Sequence, residues 1–176
     1  MGRYEEALAD LDHAIELNPE YISWLAIDRG EAYRAMGRYE EALADFNRGV
    51  KLDPEDDWCL YDRAVVRKIL DQRNEASTDL KNAIQLAQQS YEKNLDVPNE
   101  KCRIAFNQAL YHLAAEEIET AESLYQSTLS HGPSPNCIRE AIDDLKDFLA
   151  VFPNYTQASA IRELLQKYLT NIREPE

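Results

Sequence analysis

The sequence predicts an all-α chain built as a stacked array of antiparallel helix pairs, and three observations carry that reading. The decapeptide MGRYEEALAD at residues 1–10 returns unchanged at residues 36–45, a period of 36 − 1 = 35. Periods of about twenty to fifty residues mark arrays whose single units cannot bury their apolar faces alone. Ala42, Phe46, Gly49 and Val50 fall at i, i+4, i+7 and i+8, one stripe of a helix, and Pro54 ends it because proline lacks the N–H that the next turn needs. The composition, 44% apolar and 30% charged with 5 Gly and 7 Pro, is that of a helical globular chain rather than a disordered or membrane one. At about 34 residues per pair, 176 residues hold four to five pairs, or about nine helices.

The elements follow in order. Tyr4 to Leu17 reads as a helix with Tyr4, Leu8, Leu11 and Ile15 on one stripe, closed by Asn18-Pro19-Glu20. Ile22 to Ala35 is the next, with Leu25, Ile27 and Tyr33 apolar and Gly30 allowing close approach of a partner helix. Gly37 makes the turn into Arg38 to Leu52, and Asp53-Pro54-Glu55 punctuates. Asp56 or Asp57 then caps Trp58 to Leu70 by accepting first-turn N–H bonds. Asp71-Gln72-Arg73-Asn74 replaces the glycine turn, and Asn74 to Asn94 is overlong, which makes residues 96–99 the expected break in the stack. Glu100 to Ala115 and Ile118 to Ser130 form another pair, joined at Glu116-Glu117. The loop His131-Gly132-Pro133-Ser134-Pro135 leads into a one-sided helix marked by Ile138, Ala141, Leu145, Phe148 and Phe152, which Pro153 ends. Tyr155 to Ile172 closes the array with a polar outer face, as a terminal cap should have.

These residues resemble the tetratricopeptide repeat family, whose unit is a helix-turn-helix of about 34 residues. From Ser23 to Asp56 the family's small, aromatic and terminal positions stand as Gly30, Tyr33, Ala42, Phe46, Gly49 and Pro54. The next unit keeps Ala64, Ala76, Leu80 and Ala83 without the closing proline, and Asn107, Ala109, Ala121 and Tyr125 fit a further one. Glu140-Ala141, Leu145 and Pro153 echo a second helix with no obvious first helix before them. The resemblance implies a right-handed α-solenoid running as one array over 1–176. Its parts are a half repeat at 1–21, a repeat at 22–56, a repeat with an extended second helix at 57–97, a degenerate repeat at 98–132, and a C-terminal pair or cap at 133–176.

Charge and composition narrow the partners. The net charge of −14, from 33 acidic against 19 basic residues, repels phosphate backbones and anionic lipid, so neither nucleic acid nor membrane is expected as a partner. The same acidity also serves simply to keep a helical array soluble. No apolar run approaches the ~20 residues of a membrane span, and no secretory apolar stretch opens the chain, so a cytoplasmic location is expected. Cys59, Cys102 and Cys137 are odd in number and far apart, which argues against a disulfide framework and suits a reducing compartment.

Catalytic signals are absent from the sequence: no phosphate-binding glycine loop, no HExxH, no CxxC. Accordingly no catalytic residue, cofactor or metal is assigned. His131 and Cys137 lack the third and fourth ligands that zinc demands. Glu5-Glu6, Glu40-Glu41 and Glu116-Glu117 sit in or beside first helical turns, where carboxylates favour the positive end of the dipole. Trp24 and Trp58 recur 58 − 24 = 34 residues apart early in successive first helices, and the reading that both fill a seam between repeats takes precedence over a binding anchor.

The resemblance implies a groove lined by first-helix side chains, here Trp24, Ile27, Glu31 and Arg34 in one unit and Trp58, Tyr61, Val65 and Lys68 in the next. Ile27, Glu31, Tyr61 and Val65 occupy the positions of the family's carboxylate clamp, so that clamp is missing. The expected function is a non-enzymatic interaction module taking a protein or peptide in that groove, extended or helical. The alternative is a sensor or regulatory arm of a larger multidomain NTPase-type signalling protein, similar to bacterial arrays in which near-identical repeats precede degenerate ones. Met1 aligns with Met36 at a helix-helix turn, so the chain is expected to start mid-repeat, as a fragment of a longer array. Tyr4, Leu8, Leu11 and Ile15 should then be less buried than Tyr39, Leu43, Phe46 and Val50, and self-association through that bare half repeat is the corresponding expectation.

Overall fold

Residues 2–17, 22–93 and 97–172 are described by a computed structural model of the chain. Among them stand nine α-helices and no strand: α1 (Gly2–Leu17), α2 (Ile22–Ala35), α3 (Tyr39–Leu52), α4 (Asp57–Ile69), α5 (Arg73–Lys93), α6 (Pro98–Ala114), α7 (Ile118–Ser130), α8 (Pro135–Val151) and α9 (Thr156–Ile172). The bounds of α2 and α7 coincide with those the periodicity predicts, and the others shift by a residue or two. Residues 18–20, which hold the first Asn-Pro stop, and Asp96 of the expected break lie outside the described residues.

Three turns join the helices of a pair in one way. Gly37, Asp71 and Glu116 have φ of 76°, 59° and 67°. In each turn the left-handed residue donates its N–H three residues back, to the carbonyls of Arg34, Lys68 and Leu113. The following N–H reaches five back, to Tyr33, Arg67 and His112, at 2.8–3.0 Å. These bonds satisfy carbonyls that a helix end otherwise leaves open. Two entrances are capped by side chains: Asp56 accepts from the Cys59 N–H at 2.9 Å, and Ser134 from the Cys137 N–H at 3.4 Å.

The chain divides into two compact units, residues 1–86 and 87–176, with the division inside α5. In the first, α2 packs against α1 and α3, and α3 against α4. Its core gathers Ile27, Ala42, Phe46, Cys59 and Val66. Gly30 is required there: a Cβ at that position would stand 2.8 Å from the Phe46 ring. Gly49 meets the same limit, 2.8 Å from Cys59 Sγ and 3.0 Å from Ile27 Cγ1. Ala42 and Ala76, two of the small residues at repeat positions, are 0% and 1% exposed.

In the second unit α6 pairs with α7, α8 with α9, and α8 also packs on α6. Therefore α8 stands as the first helix of a further pair, not as the second helix that Glu140-Ala141, Leu145 and Pro153 suggested. Phe106 stacks on Tyr125 at 5.7 Å, and Phe148 meets Phe152 and Tyr155 at 5.0 and 5.2 Å. Two tyrosine hydroxyls close helix ends, Tyr155 donating to the Leu113 carbonyl at 2.8 Å and Tyr168 to that of Leu129 at 3.0 Å.

Two sequence expectations are corrected. Cys102 on α6 and Cys137 on α8 form a disulfide, with Cα atoms 6.6 Å apart, so the cysteines do not argue against a bridge or for a reducing compartment. Stacking of first helices brings them together across 35 residues. The α1 stripe is the second. Tyr4 is 46% exposed against a half-buried Tyr39, and Leu11 is half-buried against a fully buried Phe46, but Ile15 matches Val50 in class and Leu8, at 5%, is more buried than Leu43. Packing of α1 on α2 covers the middle of the stripe.

Candidate functional site

Four of the eight groove candidates present surface, three do not, and one is held in a buried ion pair. Trp24, in the first turn of α2, is 70% exposed, which overturns the seam reading for that residue. Trp58, early in α4, is half-buried, and its indole N–H donates to Glu31 Oε1 on α2 at 3.3 Å. Its ring meets that of Tyr61 at 5.2 Å, tilted by 44°. This bond joins the two first helices through a carboxylate and an aromatic, with Lys68 half-buried farther along α4.

Ile27, Tyr61 and Val65 are 8%, 2% and 0% exposed, so they build the core and offer no contact to a partner. Register places all eight positions toward one side, but residue type decides which turn inward. Burying a large apolar side chain is worth roughly 1.5–3 kcal/mol, and the helix neighbours close over it. Arg34 serves a structural pair, reaching Asp62 on α4 at 3.4 Å, where the Asp62 side chain is 0% exposed and that of Arg34 12%. An Arg34→Ala change would leave a buried carboxylate without this cation, so it would cost stability as well as any partner contact.

A second constellation went unread in the sequence. Arg29 on α2 forks onto Asp45 of α3 with two 2.7 Å bonds, and its third nitrogen meets Asp12 of α1 at 2.7 Å. Thirty-four residues on, as 63 − 29 and 79 − 45 both give, Arg63 forks onto Asp79 at 2.7 and 2.9 Å and reaches Asn47 at 3.2 Å. Arg67 adds a third bond to Asp79. The hydrogen bond to Asp45 raises the Arg29 pKa further above its ordinary value. These clips tie the two helices of a repeat to each other and to the helix before them. The signal was available, since Arg and Asp recur at the repeat period.

Cys59 is the free thiol among the described residues. It is fully buried, and burial chiefly pushes its pKa up to about 12, which suits packing and not nucleophilic chemistry. Cys137 is spent on the disulfide, so it cannot join His131 in holding a metal. Among the described residues no group of three or more His, Cys, Asp or Glu is placed to hold a metal, and no helix is long and apolar enough to cross a membrane.

Comparison with known proteins finds repeat-family models in two stretches of the sequence and similar helical folds among solved structures. A TPR repeat model matches residues 30–68, and a tetratricopeptide repeat model matches residues 1–21. No curated protein matches the sequence significantly. Among solved structures, a crystal structure of MamA is similar at TM-score 0.50 and 16% identity, over 98% of this chain and 92% of that one. A tetratricopeptide repeat protein from Parabacteroides merdae gives a TM-score of 0.43 at 17% identity, over 96% and 77%. The first TPR of Spaghetti (RPAP3), bound to an HSP90 peptide, gives 0.42 at 18% identity, over 84% and 93%. At such identities the likeness to MamA carries the fold of packed helix pairs and nothing finer.

Proposed function

We propose that this tetratricopeptide-repeat chain is a non-enzymatic interaction module whose first unit receives a protein or peptide segment on the face of α2 and α4. One observation carries the reading: Trp24 leaves 70% of its surface in water, on the same helix whose Glu31 holds the Trp58 indole. A large aromatic left exposed on a helix that also carries a fixed polar contact has the composition of a binding hot spot, in which a rigid ring supplies area at low entropic cost. Trp24, Glu31, Trp58 and Lys68 therefore form the contact set, and Ile27, Tyr61 and Val65 support it from beneath. The net charge of −14 favours a neutral or basic partner that offers an apolar side chain to Trp24.

The test separates contact from support. Trp24→Ala removes mostly exposed surface, so stability should change by less than ~0.5 kcal/mol while affinity for a partner captured by the wild-type chain falls by more than ~1 kcal/mol. Tyr61→Ala is the control and should lower the melting temperature by deleting a buried ring. Undiminished capture by the Trp24→Ala chain would remove this face from consideration.

A further inference from the structure

The second unit contains a cavity of about 500 Å³ between the end of α5, the start of α6 and the end of α7. That volume suits a small organic molecule. Every lining residue lies in the second unit, and the cavity shares none with the face of α2 and α4.

Its chemistry runs against that of the chain. The sequence carries 33 acidic residues, yet among the described residues no Asp or Glu lines the cavity, whereas Lys101 and His131 do, and Glu100 in the first turn of α6 is paired with Arg103 at 2.7 Å. The Lys101 ammonium sits 5.1 Å from the centroid of the Tyr91 ring, which fixes a positive charge in the wall. Pro98 and Asn99 also line it, so the N-terminus of the 17-residue α6 opens there. The cap position of α6 is Val97, whose side chain has no oxygen to accept from the first-turn N–H groups. The opposite dipole end, that of α7, is occupied locally. Thr128 and Leu129 carbonyls accept from the N–H groups of His131 and Gly132, Leu129 accepts also from Tyr168, and Ser127 accepts from Ser130 Oγ. Gln108, only 7% exposed, faces the cavity while giving one amide N–H to Gln88 Oε1 at 2.9 Å. Tyr91, Ala105 and Leu124 supply the apolar wall.

We propose that this cavity binds a small organic anion, a carboxylate carried on an aromatic body. The carboxylate pairs with Lys101 beside the N-terminal turn of α6, whose first residue, Pro98, has no N–H of its own, and the ring lies against Tyr91, Ala105 and Leu124. The anion takes the place that Asp56 and Ser134 fill at the entrances of α4 and α8, whereas α3 and α7, like α6, have no side-chain cap.

The probe is 2-naphthoate, with 2-naphthamide as its neutral twin, titrated by fluorescence anisotropy into the full chain with its disulfide intact. One saturable site is expected, with the amide about tenfold weaker because a charge-assisted bond is lost. Lys101→Gln should bring naphthoate down to the affinity of the amide, and Lys101→Arg should restore the preference. Ser127→Trp, at an exposed position on the rim, should block both ligands while the helical circular dichroism stays unchanged. Equal affinities of acid and amide, an unaltered preference in Lys101→Gln, or undiminished binding to Ser127→Trp would each overturn the assignment.

Discussion

Truncating the three aspartates of the clips should produce a graded loss of stability set by burial and by the number of guanidinium groups left behind. Asp79 holds Arg63 through two bonds and Arg67 through a third, and its side chain is 3% exposed. Asp45 holds Arg29 through two bonds at 7% exposure, and Asp12 holds the same Arg29 through one bond at 56%. Removing one partner of a buried pair costs about 3–5 kcal/mol because the other charge stays desolvated, whereas an exposed pair is worth about 0–1 kcal/mol. Asp79→Ala, which strands two arginines, therefore belongs at about 5 kcal/mol. Asp45→Ala belongs nearer 3 kcal/mol because Asp12 still attends Arg29, and Asp12→Ala below about 1 kcal/mol. At roughly 2–4 °C per kcal/mol for a chain of this length, the first should lower the melting temperature by about 10 °C or more. Thermal unfolding followed by helical circular dichroism measures all three. Added salt should erase the Asp12 effect and spare the others. A cost for Asp12→Ala equal to that of Asp79→Ala would refute the reasoning, since burial would then not be what sets the scale.

Three further outcomes are expected. Ala42→Leu, at a position with 0% exposure between α2 and α3, should overpack the first core and cost roughly 1–3 kcal/mol in urea unfolding; a neutral result would mean the contact has room that its burial denies. Cys59 titrates near 12 in the fold against 9.0 ordinarily, a raised value, so its stabilising contribution is complete below pH 9 and is lost as pH rises from about 9 to 12. Native protein should accordingly yield no reactive thiol at pH 8 and unfolded protein one, and rapid native labelling would contradict the burial. Breaking the Cys102–Cys137 bridge, by reduction or by Cys137→Ser, frees a 35-residue loop and should cost about 4 kcal/mol of unfolding free energy, read as a shift in urea midpoint between oxidised and reduced protein. No shift would mean the α6–α8 contact holds without it.

The helices were legible because their signals are local. Helical period, proline stops and turn residues sit within a few positions of what they control, and Ile22–Ala35 and Ile118–Ser130 were readable to the residue. The site was legible only in part, because register fixes where a Cβ points and not which side chain a neighbour covers. Trp24 and Tyr61 share a predicted face, yet one stands in water and the other in the core. The disulfide was missed although its signal was present. Cys102 and Cys137 lie one period apart, and in a stack of first helices residues one period apart become neighbours, so sequence distance is the wrong measure of separation. The cavity had no local signal, since Tyr91, Lys101, Gln108 and Leu124 reach it from three helices.

The repeated turn bears on how far a repeat can be recognised by its letters. Glycine at residue 37 gives way to aspartate at 71 and glutamate at 116, while the left-handed backbone and the two returning hydrogen bonds persist. Each of those acidic residues carries a penalty of roughly 1–2 kcal/mol for a conformation that glycine adopts freely. The family match that starts at residue 30 ends at residue 68, just short of the first substituted turn, yet the geometry continues through the second. Within this one chain, the same turn geometry is held by different residues, and the match to the repeat model stops at a boundary that the turn geometry does not observe. The side chains at these positions can thus differ while the hairpin that joins the helices keeps a single form.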